Sequence, residues 1–340
     1  MKIADFDLEK RVFIIAELSA NHHQEFNLAK KAIKLAKEMG ADAIKLQTYT
    51  ADSLTIDVKD EQFKAGFLWS NEYLYDLYQR ASMPYDWHEP LLAYAKELDI
   101  ILFSTPFDFE GVDLLEKLDV PAYKIASFEI TDIPLIDYVA RKGKPLIIST
   151  GIANEEDINL AIKTCHNVGN EHIILLKCTS EYPASPESMD LSTIPDMAKR
   201  FKTVVGLSDH TLGSEACITA VALGARIIEK HFTPDASIPS ADQAFSLNPT
   251  QFAQMVQSVR TVEKMLGTPR YDGGSKRFSR SLYATEDIQK GELLTHHNIR
   301  SIRPGFGLHP KYFVSILGQK AQQFIKRGTP LSFDLIEEQS

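Results

Sequence analysis

The hydrophobic positions of this chain fall into two alternating periods. Short apolar runs rich in β-branched residues recur at Val12–Leu18, Ala43–Thr48, Ile101–Pro106, Ala122–Ser127, Pro145–Gly151, Ile173–Cys178, Thr203–Asp209 and Arg226–Phe232. Runs this short and this continuously apolar read as strands buried on both faces. Seven stretches of helical period lie between them, and Pro249–Leu266 supplies an eighth. Eight strand-then-helix units predict a (β/α)8 TIM barrel. A doubly wound open sheet is the alternative. It needs no eighth strand and usually has a glycine-rich first turn, whereas Asn21-His-His-Gln follows the first run here.

Two segments depart from the alternation. Between the second and third runs lies Tyr49–Ile100, which includes the aromatic-rich Phe67-Leu-Trp-Ser-Asn-Glu-Tyr-Leu-Tyr. A long segment at the mouth of a barrel is either functional or an extra helix pair covering the barrel edge. After Leu266, the Gly-, Pro- and charge-rich Gly267-Thr-Pro-Arg-Tyr-Asp-Gly-Gly reads as a linker. Beyond it come short strands and glycine turns. The predicted organisation is a barrel over 1–266, a linker over 267–280 and a small domain over 281–340.

Composition narrows the class. The chain has 340 residues, 44% hydrophobic and 24% charged, as expected of a globular protein. Its apolar runs are too short to span a bilayer, and its first residues show no signal-peptide pattern, which predicts a soluble cytoplasmic protein. Cys165, Cys178 and Cys217 are too widely spaced for a disulfide framework or a zinc motif and read as small buried residues. A net charge of −9 argues against a nucleic-acid surface. It leaves an anionic small molecule open, because the field inside a cleft is local.

Candidate chemistry lies where the runs end, since barrel enzymes work at the carboxyl ends of their strands. Polar or charged residues close all eight, and Lys45, Lys124, Lys177 and Lys230 lie within them. Buried lysines need partners. Either they converge on a small polyanion such as phosphoenolpyruvate, or they pair with Glu17, Glu129 and Glu229 in an internal ion network. Side chains two apart on a strand share a face, which groups Lys45 with Gln47, Ser208 with His210, and Glu229 with His231. His210 and His231 end neighbouring strands, so two imidazoles could share one divalent ion. Two protein ligands leave positions open for substrate, favouring a labile Mn²⁺ or Mg²⁺ over structural zinc. Glu17 is either partner to a barrel lysine or a carboxylate that handles developing positive charge and a water proton.

The motifs Ala16-Glu-Leu-Ser-Ala-Asn-His, Ala43-Ile-Lys-Leu-Gln-Thr-Tyr, Phe103-Ser-Thr-Pro-Phe-Asp, Tyr123-Lys-Ile-Ala-Ser-Phe-Glu, Ile148-Ser-Thr-Gly, Cys178-Thr-Ser-Glu-Tyr-Pro, Gly206-Leu-Ser-Asp-His and Ile228-Glu-Lys-His resemble those of the sialic acid synthases. Arg280-Ser-Leu-Tyr-Ala, Asp287-Ile-Gln-Lys-Gly-Glu and Arg303-Pro-Gly-Phe-Gly-Leu-His-Pro resemble the antifreeze-protein-like (SAF) domain those enzymes carry. The resemblance implies an enzyme that condenses phosphoenolpyruvate with an amino-sugar aldehyde. It implies that Lys45, Thr105, Lys124, Ser127, Ser149, Ser180 and Ser208 hold phosphoenolpyruvate; many members have asparagine where Ser180 stands. It implies a divalent metal, Mn²⁺ or Mg²⁺, on His210 and His231, a catalytic carboxylate at Glu17, and Glu129 near the attacking water. Gln47, Tyr182, Asp242, Phe278 and Arg303 match positions around the acceptor sugar. Arg303 is also expected to act in catalysis, reaching the barrel of a partner in a homodimer.

Within the family, Phe67-Leu-Trp, Leu77-Tyr-Gln-Arg-Ala-Ser-Met-Pro-Tyr-Asp-Trp-His and Gly307-Leu-His-Pro-Lys look like the pseudaminic acid branch. That branch uses 2,4-diacetamido-2,4,6-trideoxy-L-altrose, for which Trp69 and Tyr73 are candidate apolar wall residues; they could equally be helix packing. The competing activities are N-acetylneuraminate or legionaminate synthase and a metal-dependent aldolase acting on pyruvate. A carbohydrate- or ice-binding protein is the non-enzymatic alternative.

Overall fold

A computed structural model of the chain describes residues 1–337, the side chain of Phe67 excepted; the last three residues of the expected small domain lie outside the described residues. Eight parallel strands form a closed barrel: β1 Phe13–Glu17, β2 Ala43–Thr48, β3 Ile101–Pro106, β4 Tyr123–Ile125, β5 Leu146–Ser149, β6 Ile173–Cys178, β7 Val204–Asp209 and β8 Ile227–His231. Each pairs with the next, and β8 returns to β1 with His231 opposite Glu17. The doubly wound alternative is excluded by that closure. All five residues of β1 are buried, as befits a strand covered on both faces.

The helices form where the apolar period fits and stop where it fails. Phe26–Glu38 buries Leu28, Ala29, Ala32, Ile33 and Ala36, a stripe at helical spacing that faces the strands. Pro249–Leu266 starts at Asn248, whose side chain accepts from the Gln251 amide while Gln251 answers the Asn248 amide. Proline at its first position fits, because that amide has no intrahelical acceptor. This last helix is also tied to the residues that lead into β1 and β2. Arg260 donates to the Val12 carbonyl at 2.6 Å and to Asp42 at 2.5 Å, while Asp42 accepts the Ile14 amide at 2.9 Å.

The long segment after β2 has two parts. Helix His88–Glu97 is the barrel's own covering helix, packed on β3 and on Phe26–Glu38. Ahead of it, short helices Ala51–Leu54 and Leu74–Ala81, with 3₁₀ turns between them, make the true insertion.

The chain divides into two compact units, Met1–Gly267 and the segment from Thr268 onward. The second unit has its own small core, including Leu282, Ile288, Leu294, Ile299 and Leu331. Its strands β9 Ser281–Ala284 and β10 Ile299–Ile302 pair antiparallel. Gly307 is required there: a Cβ would lie 2.3 Å from the Leu282 carbonyl and 3.0 Å from the Leu331 amide. Among the described residues no helix is long and apolar enough to cross a membrane.

Candidate active site

The carboxyl ends of the strands open into a cavity of about 410 Å³. Strand parity decides what lines it. Glu17 of β1, Lys45 and Gln47 of β2, Lys124 of β4, Ser208 of β7, and Glu229 and His231 of β8 all face inward. Ser149 ends β5, and just past the other strand ends Ser127, Glu129, Tyr182, His210 and Asp242 complete the polar wall. Asp242 is held in place by the Ala20 amide, 3.3 Å from its Oδ2.

Four other expected site residues lie elsewhere. Thr105 stands behind the wall, accepting from Lys45 Nζ at 3.0 Å. Ser180 is not on the wall, although its hydroxyl adjoins Gly151. Phe278 and Arg303 belong to the second unit, both exposed, Phe278 by 72%. The Arg303–Pro304 peptide is cis, and the Gly305 amide donates to the Arg277 carbonyl, bringing the Arg303 turn beside Phe278 within that unit.

Only half of the strand lysines converge on the cavity. Lys45 and Lys124 do, and they form the internal ion network with Glu17 and Glu229. Lys45 Nζ lies 2.6 Å from Glu17 and 3.9 Å from Glu229, and Lys124 Nζ lies 3.5 Å from Glu229. Lys177 and Lys230 are corrections to the expected convergence. Each is one residue out of phase with an inward neighbour, so its side chain leaves through the other face. Lys177 bonds the Cys178 carbonyl and Thr179, while Lys230 pairs with Asp209 behind the barrel wall.

Burial sets the electrostatics. It raises the Glu17 carboxyl to about 7 against the opposing pull of Lys45, with Glu229 adding to the rise. Glu129 is likewise raised to about 7 by burial, and its Oε2 has no hydrogen-bond partner. Glu229 goes the other way. Burial would raise it, but Lys124 and Lys45 together outweigh burial and hold it below its ordinary range. The cavity therefore offers two carboxyls poised near neutrality and one held ionised, a set suited to proton transfer.

An anion cradle adjoins them. The Ser149 and Ser180 hydroxyls are buried without hydrogen-bond partners, and Ser127 Oγ accepts the Gly151 amide at 3.1 Å. A Cβ on Gly151 would lie 2.2 Å from Ser180 Oγ, 2.8 Å from Ser127 Oγ and 3.1 Å from Cys178 Sγ. Glycine at this position leaves room for the Ser127 and Ser180 hydroxyls, which an added Cβ would displace, beside a cavity that Ser127, Ser149 and Lys124 line; hydroxyls left free in this way suit an oxyanion.

His210 and His231 stand with ring centroids 5.2 Å apart. His210 Nδ1 lies 2.9 Å from the Thr179 carbonyl, which fixes the proton on Nδ1 and leaves the Nε2 lone pair available. Burial, with His210 beside it, holds His231 neutral, and its buried Nδ1 has no hydrogen-bond partner. Burial would lower the His210 pKa, but the Cys178 thiol and the Thr179 carbonyl outweigh burial and raise it. A neutral His231 and the Nε2 of a deprotonated His210 would fit a divalent cation. Among the described residues no cluster of three His, Cys, Asp or Glu could hold a metal, so any ion here would depend on substrate or water for its other ligands.

The roof of the cavity is apolar and comes mainly from the insertion: Leu54, Ala65, Trp69, Leu74, Leu77 and Tyr78 face inward. Trp69 is anchored by its indole N–H, which donates to the Ala241 carbonyl at 3.0 Å, and its ring lies 5.9 Å from that of Tyr182. Tyr73 does not reach the wall; Lys59 covers its ring. The side chain of Phe67 lies outside the described residues.

Glu229, expected from the sequence as a lysine partner, is the hub of the ion network. Two residues that matter here were not among the sequence candidates. Gly151 carried no signal beyond its place in Ile148-Ser-Thr-Gly. Cys178 is buried as expected, yet its Sγ lies 3.8 Å from His210 Nδ1, and the imidazole outweighs burial to bring the thiol down to about 7.

Comparison with known proteins places this arrangement. The chain is 47% identical over 337 residues to the pseudaminic acid synthase of Campylobacter jejuni, covering 97% of this chain and 98% of that one. It is 35% identical over 336 residues to the N,N'-diacetyllegionaminic acid synthase of Legionella pneumophila, covering 96% and 94%. Among solved structures, the spore coat polysaccharide biosynthesis protein SpsE of Bacillus subtilis superposes with a TM-score of 0.68 at 36% identity, over 100% of this chain and 99% of that one. The SAF domain profile matches residues 279–337. The NeuB family profile matches residues 32–271, from the first barrel helix through β8 and past the last, and this chain belongs to the NeuB family.

Proposed function

We propose that the chain is a pseudaminic acid synthase, condensing phosphoenolpyruvate with 2,4-diacetamido-2,4,6-trideoxy-L-altrose and water to give pseudaminic acid and phosphate. The observation that carries this reading is the meeting, in one cavity, of a floor lined by two lysines and several hydroxyls with an apolar roof. The floor suits the phosphate and carboxylate of phosphoenolpyruvate. The roof suits a sugar with two acetamido groups and a methyl terminus, where a polyhydroxylated tail would leave hydroxyls unpaired.

Lys124, Ser127, Ser149 and Ser180 hold phosphoenolpyruvate at the cradle, with Lys45, steadied by Thr105, and Ser208 beside them. His210 and His231 would hold a divalent cation, Mn²⁺ or Mg²⁺, which when bound supplies Lewis-acid polarisation of the acceptor's aldehyde oxygen. Gln47, Tyr182 and Asp242 orient the open-chain sugar so that its aldehyde carbon meets carbon 3 of phosphoenolpyruvate. The new C–C bond takes the enol π electrons, the aldehyde's C=O π pair moves to its oxygen, which gains a proton to become a hydroxyl, and carbon 2 is left cationic. Glu17 stabilises that charge, and Glu17 or Glu129 takes a proton from the water that adds there. Release of phosphate from the resulting tetrahedral carbon gives the keto acid.

Phe278 and Arg303 enter this reading through a homodimer in which the second unit of one chain covers the partner's cavity. Support comes from their shared exposure, together with that of Phe306 at 65%, on one turn of a small unit. Their planar donors and aromatic faces suit acetamido groups and the exclusion of water.

Turnover and phosphate release with purified acceptors test the function. The diacetamido-trideoxy-altrose should be used at least tenfold more efficiently than N-acetylmannosamine or the legionaminate precursor. A preference for either of those would overturn the substrate assignment. Condensation of free pyruvate, without phosphate release, would overturn the reaction class.

A further inference from the structure

The ion pair behind the barrel wall is the most deeply buried among the described residues, and the chemistry above makes no use of it. Lys230 Nζ lies 2.7 Å from Asp209 Oδ2, and both side chains are fully excluded from solvent, at 0% exposure. Asp209 ends β7, Lys230 sits in β8, and the two are partners in the ladder. Their flanking residues face the other way, Ser208 and His210 on one strand and Glu229 and His231 on the other, all lining the cavity. The pair thus stands directly behind both imidazoles.

Its hydrogen bonds extend past the strands. Lys230 also donates to the Thr211 carbonyl. Asp209 Oδ1 accepts the Thr211 amide at 2.9 Å, and Cys217 of the following helix donates to Oδ2 at 3.2 Å. Residues 209 and 211, on either side of His210, are therefore both fastened to the residue that precedes His231. One ammonium group connects the two backbones that carry the histidines.

Stability alone is a poor account of such a pair. Removing an ammonium and a carboxylate from water is expensive, and their attraction commonly does no better than well-packed apolar residues of the same volume. What an apolar pair lacks is direction, since the ammonium must meet the Asp209 carboxylate and the Thr211 carbonyl at once. The geometry points to a positioning role: the Asp209–Lys230 pair sets the His210 turn against the end of β8, and with it the separation at which two imidazoles can share a divalent cation. This rests on the reading that His210 and His231 hold that cation. It assigns to Asp209 and Lys230 the part that residues bonded to metal ligands play elsewhere, where their loss typically weakens metal binding by about 10- to 100-fold.

The test is Mn²⁺ binding to the full-length protein, followed by the loss of the free-ion electron paramagnetic resonance signal. The parent, His231→Ala, Lys230→Met and the double variant Asp209→Leu/Lys230→Met are compared, with circular dichroism and thermal melting on each. The parent should bind one Mn²⁺ per chain and His231→Ala should not. Lys230→Met should bind at least tenfold more weakly than the parent. The double variant removes both charges and strands neither, so it keeps the fold if the single variant does not, and it too should bind at least tenfold more weakly. If folded variants lacking the pair bind Mn²⁺ like the parent, whatever their melting temperature, the pair is merely structural and the positioning role is wrong. If the parent and His231→Ala bind alike, the two-histidine reading itself falls, whatever the clamp variants do.

Discussion

The floor and the roof of the cavity are built on opposite principles. The floor is made of single residues from many strands, each held by its own backbone ladder and by ion pairs such as Lys45–Glu17 at 2.6 Å. The roof is mainly one continuous stretch of chain laid across the mouth, apolar, with the Trp69 indole as an anchor. A floor of this kind can place charges within fractions of an ångström, as catalysis demands. A roof of this kind selects by shape and apolar area, a weaker form of discrimination. The comparison predicts that floor changes act on turnover and on phosphoenolpyruvate, whereas roof changes act on the acceptor sugar.

The largest effect is expected at Glu17. Glu17→Gln keeps the size of the side chain and leaves Lys45 its second carboxylate, Glu229. Turnover should fall by about 10³-fold, within the range for a lost acid–base group, while calorimetric binding of phosphoenolpyruvate stays within a few-fold. Near-normal turnover would remove Glu17 from the chemistry. The same variant examines the homodimer: mixed with Arg303→Ala and allowed to exchange, it should regain activity at one of two cavities. Inactive mixtures in which native mass spectrometry detects heterodimers would count against a shared site.

Gly151→Ala should come next. The added methyl would push the Ser127 and Ser180 hydroxyls out of the cradle. Both are ends of side chains that can rotate, so the fold should survive while KM for phosphoenolpyruvate rises by about 10²-fold, the loss of two hydrogen bonds to a charged group. An unchanged KM would mean that the phosphate binds elsewhere in the cavity.

Trp69→Ala tests the roof alone. KM for the acceptor should rise about tenfold, as for loss of an apolar contact in a specificity pocket, with KM for phosphoenolpyruvate within twofold. If both constants moved together, roof and floor would not be separable.

The smallest effect concerns stability. Glu129 has its folded pKa raised from 4.5 to about 7. The folded state therefore holds this proton more tightly than the unfolded chain, a contribution present below pH 4.5 and lost as pH rises through about 7. Above that, the ionised group costs about 2 kcal/mol, allowing for cavity water around a partly buried carboxylate. In guanidinium unfolding, Glu129→Gln should exceed the parent by about that amount at pH 8 and match it near pH 4.5. An equal difference at both pH values would show that packing, not charge, is responsible.

The barrel was legible in the sequence because buried parallel strands and amphipathic helices leave different periods, and eight repeats of that contrast admit few folds. The strand ends were legible for the same reason, since charge at the end of an apolar run has no place in a core. What remained hidden depends on parity and on contact. Lys177 and Lys230 look equivalent to Lys45 and Lys124 in the sequence, and only the pleat, which turns them to the outer face, separates the two pairs. The role of Gly151 exists only through groups brought to it from Ser127 and Ser180. The insertion showed its aromatic content, but not that Trp69 would turn inward while Tyr73 turned away.

Continuity of the roof has a further consequence, for engineering. The insertion leaves the barrel at Thr48 and returns at His88, the first residue of the covering helix His88–Glu97, and Thr48 Oγ1 lies 2.8 Å from His88 Nε2. Its two attachment points are thus pinned side by side by a hydrogen bond to which the insertion contributes nothing. The stretch from Tyr49 to Pro84 behaves as a cassette. A relative's segment could be spliced between the same two strands to change the acceptor sugar while leaving the phosphoenolpyruvate chemistry beneath it intact.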